Sequence, residues 1–546
     1  MTHFYAKSEV SHRVLRPAIA LFVAATFFCG SLLHGVDAQR ASMSRLNEDQ
    51  RILHVLNRLG FGARPGDLEK VRTIGIEQYI NQQLAPEKIN DEGAEARLKN
   101  LSTLNMSTAE LYEKFPQPGQ LLRRLEQRGK LPLELAAARD NRAQAQATAP
   151  RGTADTKAAN ATAMSGDANG AVKTQMEASA SNNPPANGNL QDNQKYRQAV
   201  RQYYMENGLQ LPQRITAELQ ASRILRAVYS ERQLQEVMVD FWTNHFNVFA
   251  GKGADRWLLI SYDRDTIRPR ALGNFSDLLL ATAQSPAMLF YLDNFQSVSP
   301  NAQPAVGLQR RAGGQRGPLA QLLRGNEQRP ITMTNNPQQQ RPQQQGRRGI
   351  NENYARELME LHTLGVDGGY TQKDVQEVAR CFTGWTIFAP RGGGAAAQAM
   401  MNGPRAEMLR ENAGRFFFNP RVHDDGEKIV LGHKIPAGGG VKDGLTVLDI
   451  LAHQPATAKF IATKLVRHFV SDNAPPALVD RVAAAFTKSN GDIRETLRAV
   501  FFSPEFNSPE AYRAKVKRPF ELAISAIRTL GGETNGGPGL HQWIAR

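Results

Sequence analysis

The chain has only two cysteines in 546 residues, Cys29 and Cys381, too few for a disulfide scaffold. It contains no G-x-S-x-G, no G-x-x-x-x-G-K-[ST] and no C-x-x-C. These absences remove the motif-based case for an elbow serine hydrolase, a P-loop nucleotide hydrolase and a dithiol redox protein. There is no repeat of solenoid length. Only one long apolar run occurs, close to the N-terminus, which argues against a polytopic membrane protein. What is present suits a globular protein. Apolar residues make up 41% of the chain and charged residues 22%, enough apolar surface for a sizeable core.

The apolar run, residues 17–33, follows Arg13 and Arg16 and leads to Val36-Asp37-Ala38. A basic start, an apolar stretch and small residues before a cut describe a secretory signal peptide, here residues 1–38. The expectation is an exported protein, periplasmic or extracellular. Cys29 leaves with the leader. Cys381 then stands alone among Val378, Ala379 and Phe382 and reads as a small buried filler rather than a nucleophile.

Three stretches read as insertions. Residues 141–195 contain no aromatic residue and few aliphatic ones other than Ala, too little to bury a core. Residues 301–350 are rich in Gln, Pro and Gly and hold eight Arg against one acid, Glu327. Nearly half of the net charge of +15 therefore belongs to one low-complexity segment. That segment has no aromatic residue between its arginines, so specific nucleic-acid binding is not expected. The segment reads either as a solvated linker or as a site of attraction to an anionic envelope surface. The third insert, residues 390–414, is rich in Gly and Ala.

The rest has helical spacing. Asn47 with Gln50 forms a capping box before Ile52, Val55, Leu56 and Leu59, and Gly60 marks the stop. Leu234, Val237, Met238 and Phe241 form a second apolar stripe. Val375, Val378, Ala379 and Phe382 form a third, opened by Thr371 with Asp374. Residues 444–453, 458–470 and 477–487 continue the pattern between prolines. Strand signals are few, with Lys428-Ile429-Val430-Leu431 the clearest, and a small hairpin with residues 415–418 is expected. The fold class is mainly α, a large multi-helix domain with a small β-hairpin near 415–432 and disordered low-complexity insertions. Residues 39–140, 196–300 and 351–530 supply the helical core, and 531–546 a flexible end. Without the leader and inserts 378 residues remain, enough for one large domain or two packed ones.

Three segments carry candidate chemistry. Residues 351–365 place Glu352, Asn353, Arg356, Glu357 and Glu360 on one helical arc, with Tyr354, Leu358 and Leu361 opposite. Arg356 lies four residues from both Glu352 and Glu360, so an ion-paired surface is one reading. In the other, Glu357 and Glu360 project into a cleft, where mutual repulsion makes one a general acid and the other a general base, with Asn351, Asn353 and Arg356 as binding residues. His245 extends the Leu234 stripe inward, either as a hydrogen-bonded core histidine or as a metal ligand. His423 and Asp424 sit on a turn before the short strand, suited to that turn or to work as base and ligand. His245, His423 and Asp424 are the candidate metal ligands and a divalent ion the candidate cofactor, although no H-E-x-x-H spacing supports them. The glycines of Gly60-Phe61-Gly62 and Gly438-Gly439-Gly440 read as structural turns.

Arg58-Leu59-Gly60-Phe61-Gly62, Phe241 to Phe246, Asn351 to Gly365, Tyr370-Thr371 with Phe382-Thr383-Gly384-Trp385, and His423-Asp424-Asp425-Gly426 occur in an order that resembles the bacterial domain of unknown function 1800 family. The resemblance covers about residues 45 to 530 outside the inserts. It implies an exported bacterial protein without an assigned biochemical role, and a partner from the domain of unknown function 1501 family, whose genes often lie beside those of relatives. The family usually has Ala-Leu where this chain has Cys381-Phe382, and members tend to continue past the point where this chain stops. Two functions are therefore expected to compete: a binding or assembly protein of the envelope, and an extracytoplasmic hydrolase using paired carboxylates or a metal.

Overall fold

The structure, a computed structural model, describes residues 46–147, 187–302, 349–388 and 411–540. The proposed leader, and most of each insert, lie outside the described residues. The first helix, Glu48–Arg58, starts at the expected capping box: the Asn47 side chain accepts the Gln50 N–H at 2.8 Å and Gln50 returns the bond at 2.9 Å. Its stripe of Ile52, Val55, Leu56 and the following Leu59 is buried. The helix Gln372–Cys381 begins on the Thr371–Asp374 box in the same way. Helices Val441–Ala452, Pro455–Phe469 and Pro476–Lys488 match the three C-terminal segments. Pro455 and Pro476 occupy their first positions, where no N–H is needed.

One continuous apolar core joins helices from both ends of the chain, from Ile52 to Ile524. Within it Phe246, Trp242, Phe275 and Phe486 make ring contacts in that order, with centroids 5.9, 5.9 and 5.6 Å apart. The Trp242 indole N–H is satisfied by the Ala271 carbonyl at 3.0 Å. Cys381 is fully buried, and burial pushes its thiol up to about 12, so it packs as an inert filler.

A smaller cluster sits apart. Leu121, Leu122, Leu135, Val200 and Tyr204 hold together helices Pro118–Gln127, Leu133–Ala147 and Asn187–Glu206. The last two run beyond the expected insert boundaries at 141 and 195. Arg142 lies 4.7 Å over the Tyr196 ring, a contact that composition does not reveal.

The hairpin pairing differs from expectation. Strand β1 (Trp385–Ile387) pairs with β2 (Phe416–Phe418), and β3 (Lys428–Val430) pairs with β4 (His433–Ile435), both antiparallel. Residues 415–418 thus pair backward across the third insert and not forward to Lys428. The β3–β4 turn is the two residues Leu431 and Gly432, both with positive φ (48° and 80°), the backbone of a tight primed turn. Leucine is not a residue that announces such a turn. Within the segment expected to be a flexible end, Thr534 exchanges hydrogen bonds with the Tyr229 hydroxyl at 2.7 and 3.1 Å, and residues 541–546 lie outside the described residues.

Candidate functional site

The sequence-derived candidates separate into two places. Asn351 caps the helix Glu352–Glu357 by accepting the Tyr354 N–H at 3.2 Å, and its amide donates to the Leu292 carbonyl at 2.6 Å. Asn353 faces solvent. Gln372 bridges Glu352 and Arg356, each at 2.7 Å, so Arg356 bonds an amide and neither glutamate. From Leu358 to Thr363 the backbone becomes a π-helix. The change from i+4 to i+5 bonding shifts the angular register. Leu361, expected among the apolar residues, is therefore 46% exposed, and His362 is buried in its stead. Tyr370 donates to Glu360 at 3.1 Å. Burial first, then the Glu360 charge, raises the Glu357 carboxyl above the usual carboxylate range.

His245 touches this segment from the next helix, Gln233–His245. One ring nitrogen, Nε2, lies 3.0 Å from the His362 carbonyl, and Nδ1 lies 2.9 Å from the Lys464 ammonium. Both nitrogens are thus engaged. Burial, with the Lys464 charge second, holds the ring well below its ordinary pKa.

His423 and Asp424 belong to a different network, buried at His423, Lys428 and Asp443 and partly exposed at Arg380. His423 Nδ1 lies 2.7 Å from the Thr383 carbonyl and Nε2 lies 3.2 Å from Asp443. Lys428 donates to the same Asp443 oxygen at 2.5 Å and to the Asp424 carbonyl. The Asp424 carboxylate accepts from Arg380 at 3.0 and 3.2 Å. Thr383, Lys428 and Asp443 are each no more than 1% exposed, which closes this Thr-His-Asp arrangement to substrate and leaves it as a polar brace between Asp424 and the helix carrying Asp443. Among the described residues no group of three His, Cys, Asp or Glu side chains could hold a metal ion. His245, His423 and Asp424 do not converge.

A cleft of about 510 Å³ lies elsewhere, between the two ends of the chain. Leu53, His54, Asn57 and Arg58 reach it from one face of the first helix, and Phe61 from the turn that follows. Glycine makes that turn. A Cβ on Gly60 would meet Gln233 Oε1 at 2.9 Å, and Gly62 has φ +106° and lies where a Cβ would come 2.7 Å from Ser525 Oγ. Buried Arg528 locks the turn by donating to the Gly62 carbonyl at 2.8 Å and the Val228 carbonyl at 2.6 Å. The opposite wall is the segment Tyr512 to Arg518, leading into the helix Pro519–Thr529.

Five cations line the cleft, Arg58, Arg513, Lys515, Lys517 and Arg518, against the single acid Glu521. Lys515 pairs with Asp472, and Arg518 with Asp240 at 2.6 Å and Glu521 at 2.7 Å. Among the described residues Arg58, Arg513 and Lys517 form no ion pair within 4.0 Å, although the Glu521 charge acts on both Arg58 and Lys517. Lys517 instead donates to Asn57 at 2.9 Å and to Ser525. Burial lowers Arg58 to about 10, partly offset by Glu521 and Asp472. Burial, with Arg58 second, lowers His54 to about 4, and its Nε2 has no hydrogen-bond partner. His468 is lowered to about 4 as well, by burial and then Arg518. Neither this cleft nor two smaller cavities, of about 250 and 50 Å³, is lined by any sequence-derived candidate. The available signal was the run Arg513-Ala514-Lys515-Val516-Lys517-Arg518, four basic residues in six.

A family model described as protein of unknown function (DUF1800) matches residues 54–545, nearly the whole chain. The chain belongs to that family. The match begins at His54, so every residue lining the cleft except Leu53 lies within the part of this DUF1800 protein that the family model covers. No curated protein and no solved structure matched the chain. Among the described residues no helix is long and apolar enough to cross a membrane.

Proposed function

We propose that this protein is an exported binding or accessory protein of the bacterial envelope, with the Arg58 cleft as its working surface and an anionic group as what it holds. One observation carries the reading: five cations line a cleft of about 510 Å³ against one acid, Glu521. Burial lowers the pKa of Arg58 despite the charges of Glu521 and Asp472, and a guanidinium so withdrawn from water costs free energy that an entering anion returns. A domain of unknown function 1501 protein is the proposed partner, and the arginine-rich 301–350 segment adds attraction to an anionic envelope surface. The leader at residues 1–38 supports export. A secreted form whose N-terminus is Gln39 is expected, and a product retaining residues 1–38 in the cytoplasm counts against it. Partner capture by the exported protein, lost in Arg58→Met, tests the binding reading; capture unchanged by that substitution refutes it.

A second reading, a hydrolase using paired carboxylates, is favoured by one observation. Glu357 has a raised pKa beside Glu360, as an acid and base pair requires. It needs substrate access at the π-helical segment, and His423 and Asp424 lie in a separate network.

A further inference from the structure

We propose that the Arg58 cleft is a phosphoryl site, binding a phosphate monoester or free phosphate with its anionic oxygens on Arg58 and Lys517 and its P–OH donated to Nε2 of His54. This rests on the anion-binding reading above and names the chemistry of the ligand. His54 is 4% exposed, and a backbone hydrogen bond with Phe506 opposes the lowering of its pKa. With Nε2 unpartnered, that bond belongs to Nδ1, which donates to the carbonyl. A neutral imidazole that donates through Nδ1 offers Nε2 only as an acceptor. The cleft therefore offers cations for a negative charge and, in its His54 wall, a buried ring nitrogen without a hydrogen-bond partner. A phosphate monoester meets both demands, because its second ionisation lies near pH 6 and a P–OH persists toward neutral pH. Sulfate brings charge but no proton and would leave Nε2 facing an oxygen, the kind of unpaired contact that buried sites reject strongly.

The remaining space says more. About 510 Å³ is well over ten times the ~30 Å³ that one water occupies in the liquid, so a bare phosphate does not fill it. Leu53, Phe61, Ala63 and Val237 give the cleft an apolar lining, and Val516 stands 85% exposed on its wall. A phosphoryl group carrying an organic body uses both parts.

Calorimetric titration of the full chain with inorganic phosphate and with sulfate, at equal ionic strength, tests this. Phosphate is expected to bind at least tenfold more tightly. Arg58→Met should weaken both anions by at least tenfold, and Lys517→Gln, on the opposite wall, should weaken phosphate in the same direction. His54→Asn retains a donor for the Phe506 carbonyl and removes Nε2, so it should abolish the preference for phosphate; melting curves confirm that each variant folds. Phosphatidylcholine vesicles with and without phosphatidic acid separate the sources. Tighter binding to the phosphatidic acid vesicles than to free phosphate assigns a lipid headgroup, and binding of free phosphate alone assigns a soluble ligand. Sulfate binding as tight as phosphate, still abolished by Arg58→Met, overturns the phosphoryl assignment and leaves the anion-binding reading standing. No binding of either anion overturns both.

Discussion

Asp255 offers a quantitative check on the physical reasoning used for this fold. It starts the helix Asp255–Ser261, is 0% exposed, and neither carboxylate oxygen has a hydrogen-bond partner. Burial raises its pKa to about 8, with Lys252 opposing the shift and Asp293 adding to it. The folded protein therefore keeps a proton that the unfolded chain, with a carboxyl near 3.8, releases. Between these values the native state binds more protons, so the contribution to stability is full below about pH 4 and is lost as the pH rises to about 8. At 1.36 kcal/mol per pH unit, the loss is about 2 kcal/mol at pH 5 and about 4 kcal/mol at pH 7. Asparagine copies the shape of the protonated acid without the ionisation. Asp255→Asn should accordingly stabilise the protein by about 4 kcal/mol at pH 7 in urea unfolding, with the gain shrinking toward zero near pH 4. A gain independent of pH, or a loss at pH 7, would refute the claim that this carboxyl is buried and protonated.

Other substitutions probe separate parts of the account. Lys428→Met strands Asp443 and His423 in the brace beside β3 and should cost about 3–5 kcal/mol in the same assay; a neutral result would contradict the network. Gly62→Ala places a Cβ against Ser525 at positive φ and should cost about 1–3 kcal/mol while weakening anion binding, read by melting curve and titration. Glu357→Gln should raise stability at neutral pH, because the folded pKa lies above the unfolded one, and the gain should fade as the pH falls through the carboxylate range. If the hydrolase reading is right, the same variant loses activity.

Most of the helical scaffold was legible because its signals are local. Asn47–Gln50 and Thr371–Asp374 specify helix starts through bonds three residues apart, and the apolar stripes show which face goes inward. The strand pairing was not legible, because β1 meets β2 across an insert and the β3–β4 turn uses Leu431 where Asn or Asp is usual. The arc drawn for residues 351–365 assumed one helical period. The π segment breaks that period, exposes Leu361 and buries His362. His423 looked like surface chemistry because turns are commonly exposed, yet Lys428, Asp443 and Thr383 enclose it from positions 5 to 40 residues away. The cleft was the hardest to see. Its walls lie about 460 residues apart, as the Lys517–Asn57 bond shows, and no local signal links Arg58 to the basic run 513–518.

Hydrogen exchange on the full chain, with and without millimolar inorganic phosphate, asks directly where an anion binds. The account predicts new protection in residues 53–62 and 511–521, and none of it in Arg58→Met. Protection confined to residues 301–350, or to the segment around Glu357, would contradict it.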